Sequence, residues 1–475
     1  MKKHLLLHSI SNKKHTKSLN IKNRQREFHE LREKYTSFTF ESYNYEEDSC
    51  GLHIGFEFNL NDEFRFSPSM FIPKKEYYHW EIVGRSGLDN LIFHLGMIEL
   101  ISYWKLTCSP KVIIRPHRLN NEQIAWWKKL YFNGLGEFLY LNGIQIEQDD
   151  LMEITTFGEP LSIHASSIDP TKVMVPIGGG KDSVVTLEVL KASGAKVIPM
   201  SVNPRPAINR TIEQAGFRMA FAMEVQRKLD PLMLELNRRG FLNGHTPFSA
   251  LLAFTSVLLA VGSGIGNIAL SNESSANEST VPGTHINHQY SKSFEFEQDF
   301  DAYCRTYLHP EVRYFSFLRP VNELQIARLF SGFKAHHSGF RSCNVGSKND
   351  RWCGNCPKCL FTYLILAPFI PEPELVQIFG SNLLKNKELE TSFGELTGKS
   401  PVKPFECVGT PDEVNSAINQ VFSPGQPLPV LLSEYPFNEN YRDQFVHLLN
   451  GFSQEHAIPS VFLTSLKKAL HDQLA

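Results

Sequence analysis

Two groups of residues in this 475-residue chain have the types and spacing to do chemistry. The first is a loop. An apolar run, Val173 to Ile177, leads into Gly178-Gly179-Gly180, then Lys181-Asp182-Ser183, then a helix-like stretch from Val184 to Leu190. Glycines let the backbone turn tightly and bring its N–H groups close to an anion. A helix that starts directly afterwards aims its unpaired N–H groups and positive dipole end at the same point. The segment therefore reads as a phosphate cradle. Gly178, Gly179 and Gly180 supply backbone and Lys181 supplies charge. Asp182 positions a divalent metal, and Ser183 caps the helix and offers a hydroxyl. The spacing is neither a Walker loop nor G-x-G-x-x-G. A plain glycine turn is the competing reading, and the Lys-Asp-Ser that follows favours the cradle.

The second group is Cys343 with the run Cys353-x-x-Cys356-x-x-Cys359. Four thiolates suit tetrahedral zinc and saturate it, so such a site holds a fold and does not activate water. An iron–sulfur cluster fits the same residues. Cys50, Cys108, Cys304 and Cys407 stand alone. The apolar Leu5-Leu6-Leu7 stops at His8, so no export signal is expected. A cytoplasmic location follows, where clustered thiols favour metal over disulfide.

Further candidates surround the loop. Asn203 ends the strand-like 196–202, where a nucleotide would be faced. The polar run Ser271 to Gln298 carries Asn272, Glu273, His288 and Lys292 and reads as a substrate-binding lip; any one of these alone is more simply a surface residue. His245, in Asn243-Gly244-His245, is a phosphate or substrate contact or else a packed histidine. Arg319 is a clamp for carboxylate or phosphate, or an interdomain ion pair.

The elements that must position these residues follow from periodicity. Leu52, Ile54, Phe56, Phe58 and Leu60 alternate as a half-buried strand, with a return strand at 64–66. Leu91, Leu95, Ile98 and Ile101 mark a helix over 88–104, and 121–142 reads as helix interrupted at Gly134 and Gly136. A polar connection near 146–170 closes this part. Strand 172–177, helix 181–193 and strand 196–202 form a βαβ unit with parallel strands. Helix 246–261 leads into a strand at 267–270. The tail is helical, and Thr410-Pro411-Asp412-Glu413 has the form of a capping box. Four segments result: a basic arm 1–34, partly disordered, with ten Lys/Arg against three Glu; an α+β domain 35–165; an α/β domain 166–370; and a helical region 371–475. The net charge of -2 and the lack of a stacking platform argue against nucleic acid. No apolar run reaches a membrane span of about 20 residues. Oligomeric state is not legible.

The loop resembles the pyrophosphatase loop of enzymes that split ATP into AMP and pyrophosphate, which implies a parallel-sheet adenine-nucleotide alpha-hydrolase-like core. A longer set of motifs is more specific. It comprises Asn133-Gly-Leu-Gly-Glu-Phe138, Asn243-Gly-His245, Ser271-Asn272-Glu273, Asn287-His288-Gln289 and Leu318-Arg319-Pro320. It also includes Arg351-Trp-Cys-Gly-Asn-Cys-Pro-Lys-Cys359 and Lys403-Pro-Phe-Glu-Cys-Val-Gly409. Together these resemble the UDP-N-acetylmuramoyl-L-alanyl-L-glutamate epimerases of bacterial peptidoglycan synthesis, from Asn133 to Gly409. The resemblance implies ATP with Mg²⁺, and UDP-MurNAc-L-Ala-L-Glu as the small-molecule substrate whose terminal L-Glu is inverted. Gly178 stands where many members of the wider superfamily have Ser. Adenylating the α-carboxylate removes a charge that would oppose loss of the Cα proton. The neighbouring amide oxygen can then close an oxazolone, whose Cα–H is more acidic still. Glu273, His245, His288 and Lys292 are candidate bases. Deazaguanine nitrile synthases and RNA-thiolating enzymes share the loop, and a non-enzymatic nucleotide sensor is the alternative of a different class.

Overall fold

An eleven-stranded sheet organises the protein. The structure, a computed structural model, describes residues 21–472 except 164, 279–286, 288–289 and 401. The strands are β1 Ser37–Glu47, β2 Gly51–Leu60, β3 Phe64–Phe66, β4 Ser69–Pro73, β5 Lys111–Ile114, β6 Glu153–Thr156, β7 Asp169–Pro176, β8 Lys196–Val202, β9 Met223–Lys228, β10 Ile265–Leu270 and β11 Arg313–Ser316. Their order is β11-β10-β7-β8-β9-β4-β2-β1-β5-β6, with β3 on β2. The five strands from β11 to β9 are parallel. The chain direction then reverses across β9–β4, β4–β2 and β2–β1, and β1, β5 and β6 are again parallel. The fold is thus mixed α/β with a mainly parallel sheet and many helices.

Burial pattern separates the two regions. Leu52, Ile54, Phe56, Phe58 and Leu60 of β2 are buried, and His53 between them is exposed. Every residue of β10 is buried, the signature of a parallel strand covered on both faces. The helix expected at 88–104 begins earlier, at Trp80, and kinks at Gly84, whose φ of +65° only glycine adopts freely. The 121–142 pattern resolves into helices Asn121–Gly134 and Gly136–Asn142. The connection expected at 146–170 is not all loop: it contains helix Gln148–Leu151 and β6, elements too short for periodicity to reveal.

One sheet and one hydrophobic core run through both the N-terminal strands and β7–β10. A buried ion pair reinforces the β4–β9 junction. Arg227 of β9 grips Glu99 of helix Trp80–Trp104 with two bonds of 2.8 Å. A second core packs helix Lys181–Ala192 against helices of the C-terminal region, among them Glu323–Gly332, Pro357–Leu366, Pro411–Val421 and Ser460–Asp472. The capping box at Thr410 forms as its sequence foretells. Among the described residues no helix is long and apolar enough to cross a membrane.

Candidate active site at the strand ends

The carboxyl ends of four parallel strands deliver the candidate residues. β7 leads into the glycine loop, β8 into Asn203, β10 into Ser271-Asn272-Glu273, and β11 into Leu318-Arg319. Gly178, Gly180, Asp182, Ser183, Asn272 and Lys292 line one cleft, with Arg205, Arg341, Ser342 and Lys358 completing its walls. A separate cavity lies between Asn90, His94, Arg118 and Tyr307.

The loop needs two of its three glycines sterically. Gly179 has φ +80°, and a Cβ there would lie 3.2 Å from Ala207. A Cβ on Gly180 would come within 2.7 Å of the Ser342 hydroxyl. At Gly178 a Cβ would meet nothing within 4 Å, so a serine fits that position. The Gly179 carbonyl accepts a 2.7 Å bond from the Arg341 N–H, which ties the loop to the opposite wall. Helix Lys181–Ala192 starts at Gly180 with no side-chain cap. Ser183 does not cap it. Its hydroxyl donates to the Gly180 carbonyl at 2.9 Å, because a residue inside the first turn is placed to bond back along the helix. Among the described residues, then, no N-cap side chain occupies the first-turn N–H groups.

Below the loop lies a buried charge cluster. Lys181 is bound between Asp182 and Glu323. The second oxygen-rich group, Glu413, accepts the Glu323 backbone N–H at 2.7 Å through one oxygen and serves the capping box through the other. Burial works against the Lys181 ammonium, but the two carboxylates more than offset it and the lysine keeps its proton. Burial pushes the Glu323 carboxyl well up; Lys181 opposes this, and Asp182, Glu273 and Glu413 add to it.

Lys292 approaches from the lip. Its Nζ lies 2.8 Å from the Cys407 Sγ. Burial disfavours its charge, yet Cys407, Glu273 and Asp182 together raise it above an ordinary lysine. Glu273 is buried and receives the Ser275 hydroxyl at 2.7 Å. Arg319 fixes both residues. It donates to the Glu273 carbonyl at 2.8 Å and to the Lys292 carbonyl at 2.5 Å, and pairs with buried Glu297 at 3.0 Å. Its guanidinium is thus occupied within the protein, and it shapes the lip from behind. Asn272 donates to the Ser316 hydroxyl at 3.0 Å.

Asn203 and His245, like Glu273 and Arg319, are not part of the cleft lining. The Asn203 side chain donates to the Arg227 carbonyl at 2.9 Å and accepts the Arg227 N–H at 2.8 Å, so it stitches β8 to β9. His245 pairs with Glu137 at 3.4 Å, joining the Asn243-Gly-His turn to the Asn133–Phe138 motif. His288 lies outside the described residues. Periodicity gives no hint of Glu323, Arg341 or Cys407. The only signals are the capping residue Asn322 beside Glu323 and the Lys403–Gly409 motif around Cys407.

The four clustered cysteines converge. Their sulfurs lie within 4.8 Å of one another, with separations of 3.8 Å for Cys343–Cys356, 3.6 Å for Cys353–Cys359 and 3.5 Å for Cys356–Cys359. These are not disulfide distances, which are about 2.05 Å. The cluster could hold a metal ion. It also anchors the cleft: Cys343 follows Arg341 and Ser342, and Cys356 begins helix Pro357–Leu366, which carries Lys358.

The fold and site define an α/β protein with a glycine loop and a lysine–carboxylate cluster at its strand ends. Residues 29–317 match the MurL N-terminal domain and residues 336–426 the MurL C-terminal domain. The chain is 36% identical over 337 residues to a UDP-N-acetyl-alpha-D-muramoyl-L-alanyl-L-glutamate epimerase of Xanthomonas oryzae pv. oryzae, covering 68% of this chain and 72% of that one. Proteins of the same name from Salinispora tropica and a Micromonospora species are each 35% identical, covering 69% of this chain and 72% and 73% of theirs. No solved structure matches the chain significantly. The chain belongs to the UDP-N-acetyl-alpha-D-muramoyl-L-alanyl-L-glutamate epimerase family and is an enzyme of the isomerase class. The matched region begins at residue 29, well before the Asn133 motif.

Proposed function

We propose that this protein inverts the terminal L-Glu of UDP-MurNAc-L-Ala-L-Glu to D-Glu at the expense of ATP, through a carboxyl-adenylate, with release of AMP and diphosphate. The observation that carries the reading is the glycine loop at the end of β7, whose helix start has no side-chain cap, whose second glycine has φ +80°, and whose third would crowd the Ser342 hydroxyl with any Cβ. That cradle suits a polyphosphate. The ATP-pyrophosphatase-like core is the corresponding reading of strands β11-β10-β7-β8-β9.

Roles follow from position. Gly178, Gly179, Gly180 and Ser183 would hold the phosphates. Asp182, at the cleft mouth, would position Mg²⁺, and Lys181 would offset charge on the departing diphosphate. Asn272 and Lys292 would meet the substrate across the cleft. Activation by ATP makes the Cα–H acidic enough for a modest base.

The cysteine cluster is proposed as structural zinc. Sulfurs at about 2.3 Å from one tetrahedral ion stand about 3.8 Å apart, close to the separations of 3.5–3.8 Å found here. One ion thus fits the four sulfurs, whereas a multi-iron cluster spreads its ligands over several metal atoms. Zinc so held would brace Arg341 and Ser342 against the loop.

The test is diphosphate release with UDP-MurNAc-L-Ala-L-Glu, alongside chiral analysis of the glutamate. Diphosphate and D-Glu should appear together and depend on ATP and Mg²⁺. Inversion without ATP, or diphosphate release with a deazaguanine carboxylate or tRNA instead, would overturn the reading.

A further inference from the structure

Cys407 has no part in the function proposed above, yet it lies directly behind Lys292, a residue that lines the candidate cleft. It lies between helices Glu390–Leu396 and Pro411–Val421. The segment just before it is fastened by the Lys403–Glu278 ion pair at 2.6 Å and by Phe405 against Tyr140, with ring centroids 5.5 Å apart. Its sulfur meets the Lys292 ammonium at 2.8 Å, and Lys292 is itself a wall of the cleft that holds Asp182 and Asn272. Arg319 locks the Lys292 backbone, so this sulfur–ammonium contact sits on a rigid support. Other isolated cysteines differ: Cys108 and Cys304 are buried, and Cys50 is on an exposed turn.

An ammonium touching a thiol favours the thiolate, so a larger fraction of the sulfur is deprotonated and available to accept a proton near neutral pH. Glu273 is a weaker choice, because it is buried and already accepts the Ser275 hydroxyl.

We infer that Cys407 is the catalytic residue that takes the Cα proton of the substrate glutamate, with Lys292 holding it as a thiolate. The inference rests on the proposed inversion at this site. In the step, the Cα–H bond breaks, the proton passes to Sγ to form S–H, and the electron pair left on carbon moves into the adjoining activated carbonyl. Water then supplies a proton to the opposite face of the planar carbon. The hydroxide left behind is neutralised by the Cys407 thiol, which restores the thiolate.

Three measurements test this on the full-length enzyme. Cys407→Ala, with folding checked by circular dichroism, should still release diphosphate in a single turnover with ATP and UDP-MurNAc-L-Ala-L-Glu. Its inversion and its uptake of deuterium at Cα from D₂O should each fall at least about 100-fold. Deuterium uptake within about threefold of wild type would overturn the inference, as would loss of the diphosphate burst together with exchange in a folded variant. The third measurement needs no turnover. At pH 7 iodoacetamide should alkylate Cys407, followed by peptide mass, about tenfold faster in wild type than in Lys292→Met; equal rates would overturn the pairing. If wild type inverts without diphosphate release, the ATP reading falls, while deuterium uptake in Cys407→Ala still decides the role of the thiol.

Discussion

Lys181 and Glu323, 142 positions apart in the chain, form a buried ion pair beneath the glycine loop. The pair joins the helix that starts at the loop to the helix that starts at Glu323, and so fixes the loop to the second hydrophobic core. Removing one partner of a buried pair leaves the other charge uncompensated, at a cost of about 3–5 kcal/mol when it has no other partner. Asp182 remains beside Lys181, so Glu323→Ala should cost less, roughly 2 kcal/mol in urea unfolding. The double variant with Lys181→Met should lose less than the sum of the single variants. Strict additivity would show that the two residues do not act as a pair.

Asp182→Ala removes a carboxylate at the cleft mouth and no core volume. Diphosphate release and inversion should both disappear while the unfolding transition stays within about 1 kcal/mol of wild type. Unchanged turnover would take the loop out of the active site.

The glycines should not be equivalent. Gly178→Ser should fold and turn over like wild type, since its new side chain enters open space. Gly179→Ala places a Cβ at φ +80° and against Ala207. A strain of about 1–2 kcal/mol is expected there, with a loss of diphosphate release that a kinetic assay would register. A reversed ranking would mean the loop geometry described here is not the working one.

Purified enzyme should hold about one zinc per chain, with Zn–S distances near 2.3 Å by X-ray absorption. Chelation or Cys356→Ser should lower the thermal midpoint and weaken ATP binding, because Cys343 anchors the wall that bonds Gly179. Metal-free protein of native stability would refute the assignment.

Stability should depend on acidity through His94. Its ring is fully buried between the Asn90 carbonyl at 2.8 Å and the Tyr303 hydroxyl at 3.0 Å. Burial pushes it down to about 4. The unfolded imidazole takes up its proton near its ordinary value of about 6.5. Between these values the unfolded chain binds a proton that the folded chain refuses, so stability falls as pH drops from 6.5 toward 4 and is flat above. The loss is about 3 kcal/mol from this one residue. Urea unfolding at several pH values should show it in wild type and show a shallower slope in His94→Gln; parallel slopes would exclude His94 as the source.

What could be read from the sequence was local. The glycine loop, the cysteine run and the Thr410–Glu413 box are each set by neighbours a few residues apart, and each is found where its spacing puts it. Residues that converge from distant segments could not be read this way. Glu323 and Cys407 gain meaning only when the chain brings them to Lys181 and Lys292. Glu413 was legible as a capping residue, but its second bond, to the Glu323 N–H, was not. Arg319 read as an anion clamp or an interdomain ion pair, and spacing could not reveal that Glu297 and two carbonyls surround it. Asn203 turned on backbone conformation: with φ +48° its side chain folds onto Arg227.

The junction of β4 with β9 limits how this protein could have been assembled. Only three residue pairs join them, Ser69–Lys228, Met70–Arg227 and Phe71–Gln226. Splitting the chain near residue 165 would nonetheless bare two open strand edges and strand Glu99 without Arg227, inviting aggregation of either fragment. Gene fission or the exchange of one half with a foreign partner would therefore carry a solubility penalty, and the two halves are expected to have diverged as a unit.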